Sequence, residues 1–346
     1  MDCRIHLEEH GAMALAQQWR ELHSTCGQSP FTQFEWIMAW WRNFGRPNWS
    51  LHIATGWEHG RLVALIPLAV NIRNGLRIIE WAGADVLDYV DILSEGPEFT
   101  KRLWDYVRKH GQFDIAILRD VDPRGPSAAI LNKFTTPVEK SHSSFLSLEW
   151  SRSEEWIGTF SRETRHRNKR KRTKLENGVE LRFDFYFEDG PPSELLPSMV
   201  EQKTHWALAN DQPGMFRTDR ALPFLRELSE GTTNTRQALF ASIYRGSELV
   251  AGQLSFISEG RCLFYLSTYN EKFSAASPGR LLLYETIGWA IDHGLREFDF
   301  LRGPAAYKTS LASGHRALHE FTFARTVQGH FGRLLATGLK HLRSEL

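Results

Sequence analysis

The chain has 346 residues, of which 42% are hydrophobic and 24% charged, with 42 Lys+Arg against 41 Asp+Glu and a formal net charge of +1. That balance excludes a disordered tail, a collagen-like repeat and a disulfide mini-protein, and gives no global pull toward nucleic acid or an anionic membrane. The length is enough for about two domains, each able to bury a core.

The start, Met1 to His10, is polar and acidic and carries no apolar signal core. Phe31–Phe44 is expected to be a helix, with Phe34, Ile37, Met38 and Trp41 at helical spacing. Leu51–Thr55 and Leu62–Leu68 read as strands joined through His59-Gly60, and Leu76–Trp81 as a third. Leu62–Val70 is the longest apolar run, far short of the ~20 residues that span a bilayer. A helix over Phe99–Lys109, closed by Gly111, precedes strands at Phe113–Leu118 and Ser144–Trp150.

Ser153 is expected to cap a short helix with Glu154 and Glu155 in its first turn, and Ser161 the next, which ends at Asn177-Gly178. Val179–Phe187 alternates like a strand, and helices follow over Ser193–Asn210 and Thr218–Ser229. Ala238–Tyr244 and Leu249–Phe256 form a hairpin about Gly246-Ser247. Then come a strand at Cys262–Thr268, a helix at Arg280–His293 and a strand at Glu297–Leu301.

Two features recur. Leu62-Val63-Ala64 matches Leu249-Val250-Ala251, and His110-Gly111 before Phe113-Asp114 matches His293-Gly294 before Phe298-Asp299, at similar offsets of about 185 residues. An internal duplication follows, each copy a hairpin, a further strand, a helix and a strand. The expected organisation is residues 1–150 as a first domain, 151–178 as basic connecting helices, and 179–346 as a second domain.

Three segments carry chemistry. Ser277-Pro278-Gly279-Arg280 opens a helix after a strand and a loop; its free N–H groups and positive dipole end suit phosphate, Gly279 permits close approach, and Arg280 adds a donor. A plain capped helix would read the same. Asp299 stands between Phe298 and Phe300, with Arg302, Tyr307 and Lys308 close behind. A carboxylate there needs a job or an ion-pair partner, Arg302 or Lys308. The run Arg162, Arg165, Arg167, Lys169, Arg170, Lys171, Arg172 and Lys174 fits a large anionic partner, tRNA or a membrane surface, or else a solvated connecting helix. His6-Leu7-Glu8-Glu9-His10 has metalloprotease spacing but no third ligand, and Cys3, Cys26 and Cys262 have neither disulfide nor metal spacing. No metal is expected, and the free cysteines point to a reducing cytoplasm.

Phe31…Phe34-Glu35-Trp36…Trp40-Trp41, Asp88-Tyr89-Val90-Asp91, Ser161-Arg162…Arg165…Asn168…Arg172…Leu175-Glu176 and Ser277-Pro278-Gly279…Trp289-Ala290…Gly294…Phe298-Asp299-Phe300-Leu301-Arg302-Gly303…Tyr307-Lys308 resemble the GNAT-superfamily acyltransferases. Within these the chain looks most like the CelD-like group, named for a cellulose-biosynthesis association and related to the FemAB peptidyltransferases. The resemblance implies an α/β (α+β) fold of two tandem GNAT-like domains, each a mixed, strongly twisted sheet flanked by helices. It implies acyl transfer from acyl-CoA (acetyl-CoA) to an amine or hydroxyl of a small-molecule or saccharide acceptor.

FemAB relatives use aminoacyl-tRNA instead, and a non-catalytic subunit of polysaccharide biosynthesis is the remaining alternative. The usual GNAT phosphate loop, R/Q-x-x-G-x-G/A, is replaced by Ser277-Pro278-Gly279-Arg280. The expected roles are Asp299 as base or orienter, and Tyr307 or Lys308 as proton donor or charge stabiliser. Ser267, Thr268 and Tyr269, with Ser277, Pro278, Gly279 and Arg280, are expected at the cofactor, and Asp88, Tyr89, Asp91, Trp206, Gln253 and Arg302 at the acceptor. The donor is expected in the second half only, because Glu98 already stands at the start of the matching helix in the first.

Overall fold

The computed structural model describes residues 1–27, 29–187, 190–229, 237–303 and 305–334. The chain forms two compact units, Met1–His142 with the chain from Arg316 onward, and Ser143–His315.

The first unit opens with β1 (Asp2–His6), α1 (Glu9–Met13), α2 (Ala16–Cys26) and α3 (Phe34–Trp40). The single helix expected over Phe31–Phe44 starts later, at Phe34 after a tight turn at Pro30–Thr32, and α3 then runs without interruption into a wide helical turn at Trp41–Gly45. Pro30 fixes the first turn, and every residue of α3 is buried, so packing rather than one amphipathic stripe sets its length. β2 (Trp49–Glu58), β3 (Arg61–Arg73), β4 (Leu76–Trp81) and the short β5 (Leu93–Ser94) follow. β2, β3 and β4 form an antiparallel meander, and residues 62–70 of β3 are buried without alternation, as in a strand covered on both faces.

α4 (Pro97–His110) has Pro at its start, Arg108, Lys109 and His110 in its last turn, and Leu103, Trp104 and Val107 buried. It leads to β6 (Ile115–Val121), which pairs parallel with β4. α5 (Ala128–Leu131) and β7 (Val138–Ser147) complete this half of the chain. The unit's core is built on Trp19, Trp36, Trp40, Trp81 and Trp104, all essentially inaccessible.

The second unit contains α6 (Ser153–Gly158), α7 (Arg162–Glu176), β8 (Leu181–Tyr186), α8 (Leu195–Ala209), α9 (Ala221–Ser229), β9 (Gln237–Arg245), β10 (Glu248–Ser258), β11 (Arg261–Tyr269), α10 (Pro278–Asp292), β12 (Glu297–Arg302) and α11 (Ala306–Leu311). β8, β9, β10 and β11 are antiparallel neighbours, β12 runs parallel to β11, and Ser143–Ser147 of β7 pairs antiparallel with β12. The core gathers Leu146, Trp156, Phe264, Ile287, Phe298 and Phe300. β13 (Gly314–Ala324) returns to the first unit and pairs antiparallel with β6.

Both units therefore carry an antiparallel hairpin, a third strand, a helix and a strand parallel to the third, the order that the repeated tripeptides imply. Ser161 caps α7 as expected, accepting the Thr164 N–H, and Asn177 ends it in the left-handed conformation. Ser153 does not cap α6. Arg152 holds the cap position, and Ser153, the first helical residue, bonds Asp292 through both its N–H and its hydroxyl.

Candidate functional site

The arrangement of interest lies wholly in the second unit, where β11 and β12 part. Their parallel ladder runs through Arg261↔Glu297, Cys262↔Phe298 and Leu263↔Asp299, while β11 continues to Tyr269 and β12 to Arg302. Each strand carries one extra residue just beyond the last pair. On β11 it is Tyr265, because Leu254 faces Leu266 while Ser255 faces Phe264. On β12 the extra residue falls between Asp299 and Arg302, which face Phe145 and Ser143 of β7. A bulge bends its strand and increases the local twist, so two bulges at one level open a notch between neighbouring strands.

Asp299 holds the second bulge. It is fully buried, and its Oδ1 accepts the N–H of Leu301 at 2.8 Å. Leu301 has φ +58°, a left-handed conformation that costs a side-chain-bearing residue free energy and persists only where its surroundings hold it.

α10 begins above the end of β11. A Cβ at Gly279 would stand 3.4 Å from the Tyr269 ring and 3.9 Å from the Ser267 hydroxyl, so the helix start lies directly on these two side chains. Ser277 occupies the cap position, but with φ +51° and no capping bond to the helix. Its hydroxyl instead accepts a hydrogen bond from Lys171 Nζ at 2.8 Å. Burial, followed by the charges of Arg280 and Arg167, pulls the Lys171 pKa down. α7 is thus more than a solvated connector: Arg172 also reaches Glu285 on α10, and Leu175 is buried. Its outer side keeps Arg162, Arg165, Lys169, Arg170 and Lys174 exposed.

The two faces of the sheet take different residues, because side chains alternate along a strand. Gly252 packs under Met199 of α8, where a Cβ would approach the Met199 Cγ to 2.5 Å, and the next residue, Gln253, meets Thr286 of α10. Gln253 is fully buried and also donates to the Ser255 hydroxyl at 3.0 Å, so it pins β10 to α10. On β11, Ser267 and Tyr269 face α10, whereas Thr268 meets Gln202 of α8 at 3.5 Å. The structure therefore brings Ser267, Tyr269, Ser277, Pro278, Gly279 and Arg280 together and sends Thr268 to the opposite face. Arg280 turns along its own helix to the Tyr284 hydroxyl at 2.9 Å.

At the far wall of the notch, the Lys308 ammonium is bonded to the carbonyl of Arg302, and Lys308 is buried. Tyr307 lies against Phe264, 6.4 Å between ring centroids, and burial pushes its pKa up to about 12, so the phenol keeps its proton at neutral pH. Trp206, on α8, carries Lys203 over its ring.

Asp88, Tyr89 and Asp91 belong to the first unit. Tyr89 packs edge-on to Phe31. The Asp91 carboxyl is buried and accepts the N–H groups of Ile92 at 2.6 Å and Ser127 at 3.2 Å. Burial pushes its pKa up to about 7, against the opposing effect of those bonds. The folded-state value thus lies above the ordinary unfolded value of about 4. Between these values the native protein keeps a proton that the unfolded chain has lost, so stability falls as pH rises, by up to about 1.4 kcal/mol per unit. Asp91→Asn is expected to raise the melting temperature more at pH 8 than at pH 5; an equal gain at both would contradict this origin.

In the first unit, the matching helix start is occupied. A Cβ at Gly96 would meet a Glu98 carboxylate oxygen at 2.7 Å, so that acid stands over the N-terminus of α4. Among the described residues no cluster of His, Cys, Asp or Glu could hold a metal ion, and no helix is long and apolar enough to cross a membrane. Sequence reasoning did not single out Lys171 at the start of α10; only the basic run around it gave a signal.

Residues 162–309 match the family model described as an acetyltransferase (GNAT) domain, so a GNAT-type domain occupies most of the second unit. No curated protein matches the chain in sequence. Among solved structures the chain shares its fold with FemX, at a TM-score of 0.60 and 11% identity over 93% of this chain and 97% of that one. It shares it also with a conserved protein of unknown function from Bacteroides thetaiotaomicron VPI-5482, at 0.59 and 9% over 92% and 99%. A third is the C-terminal domain of a protein assigned as a lysylphosphatidylglycerol synthetase from Agrobacterium fabrum, at 0.56 and 11% over 95% and 97%.

Proposed function

We propose that the second unit transfers an acyl group, taken from acyl-CoA, to an amine or hydroxyl of a small-molecule or saccharide acceptor. The observation that carries this reading is the notch between β11 and β12, opened by paired bulges beside a helix start where Lys171 meets Ser277. A thioester laid in the notch meets backbone N–H groups of β11 beyond the bulge, which suit the oxyanion formed when the acceptor attacks the carbonyl. The diphosphate of the donor is taken by the start of α10, where Gly279 leaves the backbone uncovered. Tyr307, protonated at neutral pH, is the candidate to supply a proton to the departing thiolate, and Lys308 adds positive charge at the far wall.

The first unit, with Glu98 over its helix start, serves as scaffold on this reading. The polysaccharide association of the CelD-like group makes a saccharide acceptor the first to try. Incubation with acetyl-CoA and a panel of amines, amino sugars and oligosaccharides tests the proposal by release of free CoA thiol. Release that depends on one acceptor class is expected, and no acceptor-dependent release would count against it.

The exposed cations of α7 favour one second reading, an aminoacyl-tRNA donor as in the FemAB group. Acyl transfer from charged tRNA, with none from acetyl-CoA, would select it.

A further inference from the structure

Residues 327–334 form a short helix in the first unit. Thr326 opens it: its hydroxyl accepts the Gly329 N–H at 3.1 Å and donates to Asp114 Oδ1 at 2.9 Å. The Arg325 N–H reaches the Asp114 carbonyl at 2.8 Å, and the Arg333 guanidinium reaches the Thr322 carbonyl at 3.3 Å. The side laid against the protein carries glycines. A Cβ at Gly329 would collide with the Asp114 carbonyl, and one at Gly332 with the Leu76 side chain. These contacts fix which way the helix faces, and its large apolar residues point away. Val327, Phe331 and Leu334, at helical spacing, are 74%, 65% and 67% exposed. An ordinary surface helix turns such a stripe inward.

Three large apolar side chains held in water on one helix face mark a surface that something covers. Charge selects what. From Arg325 onward the sequence holds Arg325, Arg333, Lys340 and Arg343, with His330 and His341, against Glu345 alone. The apolar spacing also continues in the sequence, at Leu335, Leu339, Leu342 and Leu346. Two copies of so basic a segment repel each other and offer a single acid each to pair across a two-fold contact. A nucleic acid would take the cations and leave the apolar stripe in water. An anionic lipid surface takes both: apolar side chains enter the acyl boundary while cations stay among the headgroups. We propose that Val327, Phe331 and Leu334 seat this helix in the surface of an anionic lipid bilayer, as a peripheral contact and not a span. The proposal does not depend on the acyltransferase reading.

The test is co-sedimentation of the whole chain with vesicles, either phosphatidylcholine alone or phosphatidylcholine mixed with phosphatidylglycerol. Binding is expected to the mixed vesicles, and much less to the neutral ones. Val327→Ser combined with Phe331→Ser is expected to weaken it by about tenfold or more. Both side chains are mostly exposed, so the melting temperature should stay that of the parent. Phe331→Leu should keep the binding. The exposed cations of α7 supply the control: Lys169→Gln with Arg170→Gln is expected to cost much less than the paired Ser substitutions. No binding to the mixed vesicles, full binding in the paired Ser variant, or a larger loss in the α7 variant would each overturn the proposal. So would a dimer seen without vesicles and dissolved by the same Ser substitutions, since a second copy would then be what covers the stripe.

Discussion

Gly279→Asp is expected to weaken CoA binding by about 100-fold or more, while Pro97→Asp leaves it unchanged. The Cβ itself finds ordinary contact distance over Tyr269, so the helix still forms. The added carboxylate, however, stands at the positive end of α10, where it satisfies the orphan donors and repels a diphosphate. A hundredfold loss corresponds to about 2.7 kcal/mol, the scale of one charged hydrogen bond replaced by a repulsion. Pro97 opens α4 in the first unit, whose start already carries Glu98. Lys171→Met is expected to fall between the two, since it removes the cation bonded to Ser277 and frees that hydroxyl. Calorimetry on the three variants reads the outcome, and unchanged binding in Gly279→Asp would place the donor elsewhere.

The second large effect is expected at Asp299. Asp299→Ala removes the buried acceptor of the Leu301 N–H, and an orphaned buried donor costs about 1–3 kcal/mol. Leu301 then has less to hold its left-handed backbone, so β12 can relax and narrow the notch. Both stability and turnover should fall, with turnover down at least 100-fold. Asp299→Asn keeps an oxygen for the Leu301 N–H and is expected to melt close to the parent. If Asp299→Asn is folded yet has lost as much turnover as Asp299→Ala, the charge itself matters and Asp299 acts as base. If it retains most activity, Asp299 is a positioning residue that shapes the strand. Melting curves and rates measured on the same samples separate the two roles.

What the sequence conveys and what it hides follow the range of the interactions. α10 is legible because its signals are local: Pro278 at its start and an apolar run through Leu282, Leu283, Ile287 and Ile291. The repeat is legible because two short patterns recur at similar spacing. The bulges are not, since nothing about Tyr265 or Leu301 marks an extra residue in a strand, and a left-handed leucine runs against its own preference. The contact of Lys171 with Ser277 joins residues 106 apart and leaves no local trace. β13 escaped notice although Leu318, Phe321 and Phe323 are buried, because its partner β6 lies some 200 residues earlier. α2 escaped too, as a short helix with only Trp19, Leu22 and His23 buried.

On the proposed function, one unit of a duplicated fold binds the acyl donor and the other does not. Calorimetric titration of the intact chain with acetyl-CoA decides between one site and two. One molecule bound per chain, abolished in Gly279→Asp, is the predicted result; two molecules per chain, or none, would contradict it.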